Sequence, residues 1–420
     1  MKKITSKIVI VSFLLSSVFL GQNFACAKSI EEEISELKVR IAGLEKKLGE
    51  QQATVTAQEE EIEEIKEAGG MPVLDGLNIG AGATFVTQLA VNPNSEPNDD
   101  DEVADATYSI DIEIEKTVGE NGLAFIHLEA GDGTGLDSDE ITTFSAVNRD
   151  AANSANRVEV TEVWYEHTFF DETAVLTAGK IDPTGYLDEN EIANDETSQF
   201  LSAAFRNSTA LEFPDDNTYG VRLTLVPADW SEITVGYLDD NANWESVFED
   251  PFLFAQVNLK PVFLGEGRPG NYRVYSWYDD TAHAEWGDTS ATEENFGFGL
   301  SADQKVLDYL TLFGRVGWED PDVSTVELAW SSGLQLDGIP WGRDEDYVGA
   351  AIGMDIPGDE YENSSAIRHG DPEGHLELYY NAKINDNLHV SPHYQLVWNP
   401  NGQDDDQSIN IFSLRGQVDF

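Results

Sequence analysis

One cysteine occurs in 420 residues, Cys26, so an intrachain disulfide is excluded. Basic residues are scarce: 24 Lys and Arg stand against 79 Asp and Glu, for a formal net charge of -55 and a pI near 4.1. Nucleic acid and anionic membrane surfaces are poor partners for such a chain, because its field repels phosphate over the Debye length, and no nucleic-acid partner is expected. Beyond the N-terminus no apolar run reaches the roughly 18 residues of a spanning helix, which excludes a helical membrane bundle. Missing too are a Gly-x-Ser-x-Gly elbow, a His-Glu-x-x-His pair and a phosphate loop, and the seven histidines are scattered. Carboxylate pairs are so common that none stands out as a glycosidase pair. The acidic run DGTGLDSDE lacks the ligand spacing of a helix-loop-helix calcium site. No enzyme activity, cofactor or metal site is expected.

What is present is a foldable chain, with 40% hydrophobic and 10% aromatic residues. It opens with Lys2, Lys3 and Lys7, an apolar core from Ile8 to Leu20, and small residues at Ala25 and Ala27. That is the pattern of a signal peptide, residues 1–27, cleaved after Ala27. Cleavage removes the lone cysteine and three lysines, taking the net charge to -58.

Residues 28–68 carry a heptad seam: Ile30, Ile34, Leu37, Ile41, Leu44, Leu48, Gln51, Val55, Gln58, Ile62 and Ile65 follow in steps of four and three. Gly69 and Gly70 stop the helix. The expectation is an α-helical coiled coil, a periplasmic oligomerisation rod about 55–60 Å long at ~1.5 Å per residue. Its alternative is a single amphipathic helix lying on its own domain.

From residue 71 the period becomes two. In TYSIDIEIEK, Tyr108, Ile110, Ile112 and Ile114 alternate with Ser109, Asp111, Glu113 and Glu115, so a strand has one apolar and one acidic face. YGVRLTL and GHLELYYNAKI repeat the pattern between loops rich in Asn, Asp, Gly and Pro. Stacked sandwiches and a membrane barrel both fit such strands. Three features favour the barrel. Aromatics recur near strand ends (Trp164, Tyr165, Trp230, Tyr237, Trp277, Tyr278, Trp318 and Trp398), where interfacial girdles need them. The polar faces are more acidic than a solvated face requires. The chain closes on INIFSLRGQVDF, whose Phe412, Leu414, Val418 and Phe420 share one face of a last strand. Residues 69–420 therefore predict an all-β transmembrane barrel of about 16 antiparallel strands, at roughly 20 residues per strand and loop.

The blocks GKIDPTGYLDENEIANDETSQFLSAAF, NYRVYSWYDD, LSADQKVLDYLTLFGRVGWED, GIPWGRDEDYVGAAIG, HLELYYNAKINDNLHVSPHYQLVWNPNG and LRGQVDF, in that order, resemble the OprB-type carbohydrate-selective outer-membrane porins over 158–420. The resemblance implies a 16-stranded barrel, a homotrimer in outer-membrane lipid, passing sugars by diffusion through a constricted channel. The coiled coil is not part of that family's core pattern.

Alternation sends Arg222, Arg315, Arg415 and Glu319 inward, opposite Val221, Leu223, Leu312, Leu414 and Trp318. With so few cations in the chain, these arginines are expected to set a transverse field and to hydrogen-bond sugar hydroxyls. The family match at GRDED adds Arg343 and Asp346. The stretch 179–200 places Asp182, Asp188, Glu189, Glu191, Asp195 and Glu196 after a Pro-Thr-Gly turn, a loop expected to fold towards the lumen with Phe200 pinning it. Alternatives to a sugar channel are a general porin favouring cations and an envelope tether whose rod reaches the cell wall.

Overall fold

The computed structural model describes residues 75–420 except 95–101, 137–139, 151–156, 263, 266, 365–369 and 405–406. The segments expected to form a signal peptide, 1–27, and a coiled coil, 28–68, with all the seam residues, lie outside the described residues. The barrel is one compact unit, Asp75–Phe420.

Sixteen strands follow in chain order among the described residues: β1 Leu77–Val91, β2 Glu102–Val118, β3 Gly122–Asp132, β4 Val158–Phe169, β5 Ala174–Ile181, β6 Thr218–Ala228, β7 Ser231–Asp239 and β8 Pro251–Leu259. The second half comprises β9 Gly270–Ala284, β10 Thr292–Leu307, β11 Leu310–Glu319, β12 Val326–Asp337, β13 Tyr347–Pro357, β14 Glu373–Asn385, β15 Leu388–Trp398 and β16 Ile409–Asp419. Each strand pairs antiparallel with its chain neighbours, and β1 closes on β16 from Gly82 opposite Asp419 to Val91 opposite Asn410. Closure matters physically, since an open edge would leave N–H and C=O groups unpaired in lipid.

The alternation explains the two faces. Phe85, Ile110, Phe298, Phe412 and Leu414 are exposed on the outside, while Thr84, Ser109, Ser301, Ser413 and Arg415 are buried inside. An apolar exterior around a polar interior suits a lipid solvent and no other. Connections differ by end. Short turns such as 119–121 and 308–309 lie at the rim that holds the start of β1 and the end of β16, here the near rim. The far rim carries long connections, among them 133–157 and 182–217. Exposed Trp230, Trp341 and Phe420 ring the near rim.

Two expectations are corrected. Trp164, assigned to the outer girdle, faces inward. The β3–β4 register shifts between His127 and Leu128, and Thr161 is the extra residue. That bulge reverses the alternation, so Val158 and Val160 point out before it and Val163 and Tyr165 after it. Trp277, also assigned to the girdle, is buried inside against Phe252, while its neighbour Tyr278 is exposed. The lumen is also less polar than an aqueous pore requires, because inner-wall Val397, Ile409, Phe252, Phe313 and Tyr379 pack against inserted loops.

Candidate functional site

The connection 182–217 turns into the barrel at once. Asp182 caps the turn Pro183–Gly185, accepting from the Thr184 amide at 2.9 Å and its hydroxyl at 2.7 Å. Asp188 takes a left-handed backbone (φ 61°), which Asp tolerates better than most residues. Asp195 accepts from the Thr197 amide and hydroxyl, making a second self-capped turn. Three apolar clusters then hold the loops to the wall: Leu187 and Leu211 against β7–β9, Ile192, Phe200 and Phe205 against Phe313 and Tyr379, and Leu136, Ile141 and Val147 of the 133–157 loop against Val397, Ile409 and Ile411. Phe200 meets Tyr379 edge-on at 5.0 Å. Glycines make room: a Cβ at Gly349 would strike the Tyr379 ring, and one at Gly299 would strike Tyr275.

A loop inside a barrel buries backbone groups that need partners. Here the wall provides charges of the matching sign. Arg315 donates to the carbonyls of Phe205 (2.9 Å), Asp188 (3.0 Å) and Ala193 (3.1 Å), and its Nε lies 2.8 Å from the Asp188 carboxylate. Arg415 donates to the carbonyls of Glu196, Ser198 and Gln199 at 2.7–2.9 Å. In the opposite sense, Glu377 accepts the amides of Leu201 and Ser202 at 3.0 Å, and Glu373 accepts those of Phe144, Ser145 and Asn401. The two loops join each other, Arg149 N–H to Leu201 carbonyl and Ala203 N–H to Ala146 carbonyl, both 2.8 Å. Charge-assisted bonds of this kind contribute about 1.5–3 kcal/mol each.

This filling is lopsided. Over β8–β16 the inner wall beneath the loops is nearly sealed, whereas on β2–β6 Asp111, His127, Glu129, Glu162, Glu166 and Arg222 stay partly open. Arg222 bonds Glu166 (2.8 Å) and Thr177 (2.9 Å) and sits 3.8 Å over the Tyr186 ring. His127 bonds Asp111 at 3.0 Å. The indole N–H of Trp164 donates to Glu162 at 3.0 Å, and Trp164 stacks on Phe125, centroids 4.8 Å apart at 25°. From the loop side Asp182, Glu196 and Arg206 face this wall, the Asp182 amide bonding Glu162 and Glu196 pairing with Arg206. Below the loop, two cavities open at the near rim. One of about 630 Å³ includes Asn121 and Glu166; one of about 420 Å³ includes Glu191, Lys305 and Tyr347.

The predicted site residues therefore divide. Arg222 reaches the open passage, and Glu191 faces the smaller cavity. Arg315 and Asp188 meet, but at 1% and 0% side-chain exposure they are sealed under the loop, as is Arg415. The expectation that these two arginines touch solute is corrected, since their donors already hold loop carbonyls. Burial pushes the Asp188 carboxyl up to about 6, against the lowering pull of Arg315 and the Ser208 amide. Asp182 and Asp195 serve turns, and Glu189 lies 3.7 Å from Arg273. Arg343 and Asp346 form a bidentate pair at 2.7 and 2.9 Å, in the near-rim turn after β12 rather than at the constriction. The hydrogen bond from Arg343 holds the Asp346 carboxyl below its ordinary value. Glu319 is buried near the far rim with Ser324 and Asn295. Close by, Glu212, Asp279 and His283 converge, and Asp240, pushed up to about 7 by burial and by Asp279 and Glu212, lies beside them. Missed from the sequence were His127, Glu129, Glu162, Glu166 and Trp164. Alternation would have found His127 and Glu129 on β3, but not the three on β4, which follow the bulge that breaks it.

A closed sixteen-stranded barrel with an apolar belt and a loop folded into its lumen defines a porin, a channel rather than an enzyme. Residues 98–420 match the family described as carbohydrate-selective porin, OprB family, and the chain belongs to it. The high-pH structure of Pseudomonas putida OprB is similar at 17% identity over 83% of this chain and 95% of that one, with a TM-score of 0.71. Its low-pH structure gives 16%, 83%, 94% and 0.53, and the outer membrane channel DcaP of Acinetobacter baumannii gives 11%, 82%, 98% and 0.50. Such identities speak to the fold alone. An uncharacterized protein of Aquifex aeolicus (strain VF5) is 25% identical over 224 residues, 53% of this chain and 59% of the relative. Family and fold mark an outer-membrane protein.

Proposed function

We propose that this porin passes small hydrophilic solutes, carbohydrates first among them, between the inserted loop and the β2–β6 wall. The observation that carries this reading is the lumen-facing stack of Trp164 on Phe125, set beside Glu162, Glu166, Arg222 and His127. The C–H face of a pyranose packs on an aromatic ring, while its hydroxyls both donate to carboxylates and accept from a guanidinium. Purified full-length protein in a planar bilayer tests it. Glucose should block the ionic current in a concentration-dependent way, and Trp164→Ala should weaken that block at least threefold with open-channel conductance little changed. Current insensitive to any sugar overturns the carbohydrate reading, and no channels at all overturns transport.

A second reading rests on charge. Asp111, Glu113, Glu129, Glu162 and Glu166 outnumber Arg222 on the open wall, so a general channel favouring cations is the alternative. Reversal potentials favouring cations with no sugar block would select it.

A further inference from the structure

At the far rim one group of side chains lies apart from the arginine and glutamate anchors of the loops and from the open wall of β2–β6. Asp279 and His283 lie on β9, and Glu212 comes from the outgoing limb of the 182–217 loop. One ligand-type atom from each lies within 4.8 Å of the others. His283 Nε2 is 2.9 Å from Asp279 Oδ2, and its Nδ1 is 3.8 Å from Glu212 Oε1. Asp240 supplies an independent observation. It is 7% exposed, its Oδ1 has no hydrogen-bond partner, and the charged groups acting on it most strongly are Asp279 and Glu212. Register agrees: Leu238 pairs with Phe252 and Phe252 with Asp279, so the next inward position after Leu238 is Asp240, at the same rim.

We propose that Glu212, Asp279 and His283, with the Asp240 carboxylate as a further charge on the same side of the rim, form a binding site for one first-row divalent transition-metal ion, which ties the outgoing limb of the inserted loop to the barrel rim. One imidazole with carboxylates is the donor set that zinc and its neighbours accept, whereas calcium takes oxygen alone. Donor atoms about 2.1 Å from a tetrahedral ion lie roughly 3.4 Å apart, so the donor atoms of Glu212, Asp279 and His283, now within 4.8 Å of one another, close by at most about 1.5 Å on binding. Asp215 and Glu319 add negative charge around the site, and an ion relieves the mutual repulsion. The rim acids accept hydrogen bonds from side chains and backbone of β9 and β10, Asp279 from the Thr281 amide and hydroxyl and Glu212 from Asn295, whereas the other cluster of similar composition, Asp355, Glu373 and His375, serves loop backbone. There Glu373 accepts the Phe144, Ser145 and Asn401 amides and Asp355 accepts the Ser145 hydroxyl, so the acids are engaged in holding loops.

Titration of full-length, EDTA-treated protein in detergent with zinc chloride, followed by calorimetry, tests the site. The expected result is one saturating ion per chain, retained in millimolar calcium. His283→Ala and Glu212→Gln should each weaken binding at least tenfold, with heat-modifiable mobility on gels reporting that the barrels remain folded. His167→Ala, outside the cluster, should bind as the parent does. Several weak ions per chain, displacement by calcium, or unchanged affinity in both folded variants would overturn the proposal.

Discussion

Arg315 and Arg415 are inward arginines whose work is mechanical. Each satisfies three loop carbonyls. Arg315→Ala would leave Asp188 as an uncompensated buried carboxylate, at a cost of about 3–5 kcal/mol. Thermal unfolding in detergent should show that loss, and the Arg315→Ala, Asp188→Ala double variant should lose less than the Arg315 single variant, because the pair goes together. The Asp188 carboxyl also sets a pH dependence. Its folded value near 6 exceeds the ordinary 3.8, so the folded state holds this proton more tightly than the unfolded chain does. The group's stabilisation is complete below about pH 4 and is lost as pH rises through 6. Compared with Asp188→Asn, the parent should therefore lose more thermal stability between pH 4 and 6.5; an equal or smaller loss would contradict the assignment.

At the scale of elements, the 182–217 loop is a small folded unit with the barrel wall as its other half. Self-capped turns at Asp182 and Asp195 shape it, and Phe200 keys it between Phe205, Phe313 and Tyr379. Truncating that key, Phe200→Ala, should cost about 3–5 kcal/mol. It should also raise single-channel conductance, because a loosened loop no longer narrows the lumen. Normal conductance in a folded Phe200→Ala variant would mean that the polar anchors alone hold the loop. The bulge at Thr161 is the second decisive element. Turning Trp164 inward converts a girdle residue into a wall of the passage.

For the whole molecule, a formal net charge of -55 goes with a barrel whose less covered inner wall, on β2–β6, is acidic. In a salt gradient the reversal potential should favour cations at low ionic strength, and the preference should shrink towards 1 M salt as the Debye length falls to about 3 Å. Glu129→Gln with Glu162→Gln should reduce it further; selectivity unmoved by both would place the selecting charges elsewhere. The heptad segment leads to a separate expectation. Removing 29–67 should lower the oligomer mass seen by light scattering, with the trimer as the expected parent; an unchanged mass would assign the rod no role in assembly.

Alternation, the basic and then apolar run at the N-terminus, heptad steps and the aromatic terminus are local properties, each carried by residues a few positions apart. The barrel and the inward set of Arg222, Arg315, Glu319 and Arg415 were legible for that reason: a strand's period of two needs no tertiary information. What lines the passage was not legible in the same way. Whether an inward arginine meets solute or a loop carbonyl depends on chain more than a hundred residues away, as between Arg315 and Phe205 or Arg415 and Ser198. A single extra residue in one strand reversed the faces beyond it, and two long loops chose which half of the lumen to fill. The sequence by itself determined the wall; only tertiary packing decided where that wall stays open, because backbone groups buried in the lumen must find their partners across the barrel.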